Sequence, residues 1–268
     1  MKFGVIIIGD EILSGKRSDK HLAKAIELLG ARGLPLAYAH YVGDDPERIT
    51  TTLAAAFASG DTVFSFGGIG ATPDDHTRQC AANALGKELA LSDTARALIV
   101  ERMQDVAREQ GTDFEPGRLD NVHRLQMGMF PAGASIIPNP YNKIPGFSHP
   151  GVGQGTVHFV PGFPVMAWPM VEWVLDTHCS AWFQTGAWRE QSVIVFGAME
   201  SLLTPLMEQL EHRHPVKVFS LPSVDHPQYG KHIELGVKGR PEALPAAYAE
   251  MLDGLRKLEM PLGPELVR

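Results

Sequence analysis

The stretch Gly67-Gly68-Ile69-Gly70-Ala71-Thr72-Pro73-Asp74-Asp75-His76-Thr77 places three glycines, two adjacent carboxylates and two threonines behind a short β-type run, residues 62–66. Glycines at a strand end let backbone N–H groups approach an anion closely, and a helix N-terminus behind them adds a favourable dipole. Carboxylates a few residues further on would repel a phosphate unless a cation sat between. The chemistry this suggests is Mg²⁺ held by one or two aspartates and by the ligand's own oxygens. A glycine turn followed by an Asp helix cap fits the same residues, and spacing alone leaves both readings open.

Two further loops carry acids in similar positions: Gly9-Asp10-Glu11 and Gly43-Asp44-Asp45. The elements that would position them follow in order. Residues 3–8 are continuously apolar and β-branched, as in a strand buried on both faces. Ser18 can cap a helix over 18–32, stopped by Gly33. Residues 34–42 predict a second strand. Asp45 caps the next helix, with Pro46 at its first position, which leaves Asp44 as the better functional candidate of the pair. The third strand, 62–66, runs into the glycine loop. This β-α-β-α-β order predicts an α/β fold, a mostly parallel sheet between layers of helices. Ligands of such sheets bind beyond the strand C-termini, where all three acidic loops would meet.

Beyond Thr77 the sequence predicts helices over 78–85 and 92–110. From 125 to 171 the only formal charge is Lys143. Many Gly and Pro break that stretch, which excludes a hydrocarbon span. It reads as short strands and tight loops, and it could supply a homo-oligomer interface. The loop 138–147 suits a flat polar ring and a phosphate bound by Lys143, or else holds an ordinary surface lysine. Pro161-Gly162-Phe163-Pro164 either lends free amides to the pocket or merely turns the chain. The organisation changes near residue 181. We therefore expect an α/β domain over 1–180, a small α+β domain over 181–258 and a loose tail over 259–268. A net charge of −7 argues against nucleic acid as partner. The N-terminal apolar run is too short for a secretion signal. The two cysteines, Cys80 and Cys179, read as reduced structural thiols of a cytoplasmic protein.

The ordered set resembles the molybdopterin-binding domain of the competence/damage-inducible protein A (CinA) family, related to the molybdopterin adenylyltransferases. It comprises Gly9-Asp10-Glu11-Ile12-Leu13-Ser14-Gly15, Val42-Gly43-Asp44-Asp45, the glycine loop to Thr77, Asn121, Pro138-Asn139-Pro140, Pro145-Gly146-Phe147 and Pro161-Gly162-Phe163-Pro164. The resemblance covers residues 1 to about 175. It implies a three-layer fold that binds molybdopterin or a nucleotide diphosphate, a small phosphate-bearing ligand. It implies hydrolysis of ADP-ribose- or FAD-type pyrophosphates with Mg²⁺ and stimulation by K⁺; the alternatives are an adenylyltransferase-like activity or a binding module without chemistry. The amidohydrolase domain that ends many full-length relatives is expected to be missing. Carried over, Asp44 and Asp75 would serve metal and catalysis. Gly67, Gly68 and Gly70 would hold phosphate, and Gly9, Asp10, Glu11, Thr72 and Thr77 would line the same pocket. Asn139, Lys143, Gly146, Pro161 and Gly162 complete the expected ligand contacts. Three places depart from the family pattern: Ile69 and Ala71, His21 in place of an asparagine, and Asn142-Lys143-Ile144 in place of Gly-Thr-Ala.

Overall fold

The computed structural model describes residues 2–184 and 188–267. The chain divides into two compact units, Met1–Phe183 and Gln184–Arg268.

The first unit is built on a sheet of six strands. They are β1 (Phe3–Ile8), β2 (Leu36–Val42), β3 (Thr62–Phe66), β6 (Ser135–Ile137), β7 (Gly146–Pro150) and β8 (Thr156–Val160), in the spatial order β2-β1-β3-β8-β7-β6. The first four in that order are parallel, and β7 runs against both β8 and β6. All of β1 is buried. Val5 and Ile7 pack on one face with Leu28, Leu29, Met170 and Val174, from α2 (His21–Gly30), which follows the single turn α1 (Asp10–Leu13), and from α7 (Pro164–His178). Ile6 and Ile8 pack on the other with Ile49, Leu53 and Ala81, from α3 (Pro46–Ser59) and α4 (Thr77–Leu85). A strand with apolar neighbours on both sides needs no polar alternation, which is why the apolar run was readable as a central strand. The antiparallel pair β4 (Leu89–Leu91) and β5 (Met129–Pro131) stands apart from this sheet, with α5 (Asp93–Gln110) and α6 (Leu119–Leu125) between them in sequence.

Side-chain caps fix the starts of three helices. Asp45 caps α3 by accepting the Arg48 N–H at 2.8 Å, with Pro46 in the first turn. Ser92 caps α5 through the Ala95 N–H. Ser18 does not cap α2. The neighbouring Asp19 does so with both oxygens, accepting from the His21 N–H at 2.8 Å and the Leu22 N–H at 3.1 Å, and α2 starts accordingly later. A carboxylate accepts two N–H groups where a hydroxyl satisfies one, and it complements the dipole better.

The second unit is a four-stranded antiparallel sheet, order β10-β11-β9-β12, covered on one face by α8 (Glu200–Arg213) and α9 (Leu244–Lys257). Its strands are β9 (Arg189–Phe196), β10 (Val216–His226), β11 (Gly230–Gly239) and β12 (Leu262–Val267). The last of these corrects the expected tail over 259–268. Leu262 pairs with Val195 and Val267 with Gln191 along β9. Pro264 fits there because β12 is an edge strand, where a missing N–H costs no ladder bond on the open side.

Candidate functional site

Every loop at one rim of the six-stranded sheet follows the C-terminal end of a strand or precedes β7. The order reverses between β1 and β3, since β2 lies to one side of β1 and β3 to the other. At that switch point the loops separate and leave a crevice. A cavity of ≈ 780 Å³ opens there, lined by Ile8 and Gly9 after β1, Asp44 after β2, the glycine loop after β3 and Pro161-Gly162-Phe163 after β8. That volume is in the range of small-molecule and cofactor sites.

The glycine loop is held from behind. Gly67 has φ +98°, and a Cβ there would lie 2.5 Å from the Ile8 carbonyl oxygen. Its N–H is already committed to the Val160 carbonyl at 3.0 Å, so it shapes the loop rather than offering a donor. Gly68 has φ +67°, and a Cβ on it would overlap the buried Thr77 hydroxyl. Arg78, 3 % exposed, donates from Nη1 to the carbonyls of Ile69 and, at 2.6 Å, Gly70. In a trans peptide the C=O and N–H point opposite ways. Pinning those two carbonyls beneath the loop therefore turns the N–H groups of Gly70 and Ala71 away from Arg78. Among the described residues, the N–H groups of Gly68, Ile69, Gly70 and Ala71 have no hydrogen-bond partner. A run of unpaired donors along a cavity wall is an anion-binding concavity.

The acids surround this loop. Asp10 and Asp44 clasp each other: the Asp10 N–H donates to Asp44 Oδ2 at 2.9 Å and the Asp44 N–H to Asp10 Oδ1 at 3.2 Å. This pins the ends of β1 and β2 together. Burial raises the Asp44 carboxyl above its ordinary value, opposed by the Asp10 N–H, and the charges of Asp10, Glu11 and Asp74 raise it further. Asp75 turns back on its own loop, where Oδ2 accepts from the Thr72 N–H at 2.8 Å and the Thr72 hydroxyl at 2.5 Å. Among the described residues no three His, Cys, Asp or Glu side chains form a ready metal cage. Acids still outnumber bases on the cavity wall, with Glu11, Asp44, Asp74 and Asp75 against Lys16 and Arg17. The donor set suits a hard cation that completes its shell with ligand phosphates and water, as Mg²⁺ does.

Of the residues expected from sequence, the cavity wall holds Gly9, Glu11, Asp44, Gly67, Gly68 and Gly70, together with Thr72, Asp75, Asn139, Pro161 and Gly162. Asp10, Thr77, Lys143 and Gly146 are not part of it. Asn139 is fully occupied in its own loop, donating to Asn142 Oδ1 and the Ile144 carbonyl and accepting from the Tyr141 N–H. Gly146 is a packing position, where a Cβ would overlap the Phe159 carbonyl. Lys143 departs furthest from expectation: its ammonium is paired with Glu101 and Asp105 of α5, each at 2.6 Å.

Sequence reading missed four contributors. Lys16 and Arg17 line the cavity, Arg78 anchors the loop, and His21 braces Gly162 beside the glycine loop. His21 is 5 % exposed, stacks on Phe66 at 4.5 Å and donates from Nε2 to the Gly162 carbonyl at 3.0 Å. Burial lowers its pKa, so the ring is held neutral as a spacer. The basic pair Lys16-Arg17 follows Gly15 directly, but nothing local in the sequence distinguishes it from an ordinary solvated pair. An apolar wall of Met127, Ile144, Pro145, Phe163 and Met166 completes the cavity and offers a surface for a planar ring.

A family model described as a probable molybdopterin binding domain matches residues 4–178. A CinA-like protein of Citrifermentans bemidjiense is 32% identical over 208 residues, 78% of this chain and 47% of that protein. A CinA-like protein of Anaeromyxobacter sp. (strain K) is 33% identical over 176 residues, 65% of this chain and 40% of its own length. This chain thus spans less than half the length of either relative. Among solved structures, that of the protein CinA with unknown function from Thermoplasma acidophilum superposes with a TM-score of 0.56 at 27% identity, over 66% of this chain and 98% of the other.

Proposed function

The chain belongs to the molybdopterin-binding-domain family, and from that premise we propose that it binds the diphosphate of a nucleotide or pterin together with Mg²⁺ and hydrolyses the phosphoanhydride, in the manner of an ADP-ribose- or FAD-type pyrophosphatase. The observation that carries this reading is the row of four unpaired N–H groups from Gly68 to Ala71, in a cavity lining that holds more carboxylates than bases. Donors suit a phosphate; the surplus of carboxylates does not, unless a cation accompanies it. Asp44 and Asp75 would hold that cation, with Glu11 and Asp74 contributing to the field around it. When bound, it would supply Lewis-acid polarisation of the phosphoryl oxygens. The chain's own residues do the rest. Loop N–H groups hold the phosphates, Arg78 keeps those donors aimed, and the apolar wall seats the ring. Fixed donors that need no reorganisation are the main protein contribution to phosphoryl transfer. A second reading, binding without turnover, is favoured by the engagement of Asp75 Oδ2 with Thr72.

The test is calorimetric titration of ADP-ribose, FAD and ATP with Mg²⁺ and again in excess chelator, with release of AMP followed in parallel. Affinity is expected to fall at least ~10-fold when the cation is removed, since the uncompensated acids then face the phosphates. Equal affinity in both conditions would overturn the cation-bridged site. Binding without AMP release would select the second reading.

Lys143→Gln is expected to leave these affinities within about twofold, because exposed ion pairs remote from a ligand contribute little to binding it. A large loss in the same titration would return Lys143 to the site.

A further inference from the structure

Two side chains on the cavity wall carry positive charge with no ion-pair partner among the described residues: Lys16 and Arg17. Both are exposed. The contrast with Lys143, whose charge two carboxylates neutralise, is marked. Glu11 and Asp44 line the same cavity and still do not pair with either cation. The wall therefore sorts its charges into two groups, acids that would share a cation and bases that remain open to an anion.

The segment bearing the two bases is fixed at both ends. On one side the Ser14 N–H donates to the Asp10 carbonyl at 2.8 Å, the Gly15 N–H to the Ile12 carbonyl at 3.1 Å and the Arg17 N–H to the Glu11 carbonyl at 2.9 Å. On the other, Asp19 caps α2 and accepts the Tyr41 hydroxyl at 2.8 Å. A short backbone held in this way presents adjacent side chains at low ordering cost.

We infer that Lys16 and Arg17 form a second anion subsite, distinct from the glycine loop, that takes a phosphomonoester carried by the ligand outside its scissile anhydride. The inference rests on the reading that the cavity binds a phosphoanhydride. A phosphomonoester is close to a dianion at neutral pH and offers three acceptor oxygens. It can engage one point charge and one planar fork on the same cavity wall, where a carboxylate or a phosphodiester offers less charge and fewer acceptor oxygens to share between them. The substrate class narrows accordingly, from any dinucleotide-type diphosphate to those with an additional phosphate esterified to a ribose hydroxyl.

The experiment titrates the full chain in Mg²⁺ with two matched pairs, dephospho-coenzyme A against coenzyme A and ADP-ribose against ADP-ribose 2′-phosphate, for the parent and for the K16Q/R17Q variant. In at least one pair the parent is expected to bind the more phosphorylated member roughly tenfold more tightly. That ratio should shrink as salt is raised, since both cations are solvent-exposed, and should fall to about one in the variant. A parent that does not discriminate within either pair would overturn the subsite. So would a ratio that survives in the variant, even if both members of the pair bind more weakly. Failure of all four compounds to bind the parent would instead defeat the phosphoanhydride reading on which the subsite stands.

Discussion

Asp44→Asn is expected to lower Mg²⁺-dependent turnover of ADP-ribose by ~100-fold or more, while the variant melts no lower than the parent. The two halves of this outcome have different origins. Turnover falls because an amide is a far weaker cation ligand than a carboxylate and carries no charge. Stability does not fall because the side chain's structural duty survives: the Asn oxygen can still accept the Asp10 N–H that Asp44 Oδ2 accepts at 2.9 Å. The ionised form of Asp44 in fact works against the fold. Its carboxyl is raised above the ordinary 3.8 by burial, with the charges of Asp10, Glu11 and Asp74 adding to the effect. A group whose folded pKa exceeds its unfolded value favours folding below the unfolded pKa and loses that contribution as pH rises through the folded one. At neutral pH the penalty is fully present, and the neutral amide removes it. The same raised pKa sets the acid limb of the rate profile above the usual aspartate range, and Mg²⁺ should draw that limb to lower pH. Parallel melting curves and rate measurements check the claim. Parent-like turnover would remove Asp44 from the chemistry, and a clear fall in melting temperature would make it a strap between β1 and β2 instead.

What the sequence disclosed, and what it did not, divides along the distance over which each interaction acts. The buried run of β1, the Asp45–Pro46 start of α3 and the positive-φ glycines after β3 depend on neighbours a few residues away, and all could be read directly. From them followed the parallel sheet, the rim at its strand ends and the glycine-loop side of the cavity wall. Lys143 was misread because its partners, Glu101 and Asp105, lie on a helix about forty residues earlier in the chain; nothing local marks a lysine as already neutralised. Residues 259–268 were misread because Pro264 and the exposed side chains give β12 no alternating pattern. That strand exists through backbone pairing to β9, seventy residues away in sequence. Arg78 was hidden for a third reason. In the first turn of a helix an arginine normally reaches solvent, and only the fold shows that this one runs beneath the preceding loop.

That position makes Arg78→Met the most informative loop variant. Its expected result is a loss of nucleotide affinity of about 100-fold with a change in melting temperature of only about a few degrees. Two large terms oppose each other in the unliganded fold. The substitution breaks charge-assisted bonds to the Ile69 and Gly70 carbonyls, each worth ~1.5–3 kcal/mol. It also removes a buried guanidinium that has no carboxylate ion-pair partner among the described residues and an unpartnered Nε. Burial pushes that group's pKa down, and only the charge of Asp75 pulls it back. An uncompensated buried ion carries a desolvation penalty of several kcal/mol, on the order of the bonds lost, so the stability terms nearly cancel. No such cancellation operates on binding. Without the fork on their carbonyls, the two peptides that present the Gly70 and Ala71 N–H groups are free to rotate, and the positive charge beneath the anion is gone. Arg78→Lys keeps the charge and loses the fork, so it should fall between parent and Met variant in affinity. Titration of ADP-ribose in Mg²⁺ alongside thermal melts resolves the matter. A Met variant that binds as the parent does would show that the loop holds its shape unaided, and a Met variant that unfolds would show that the carbonyl bonds outweigh the cost of burying the charge.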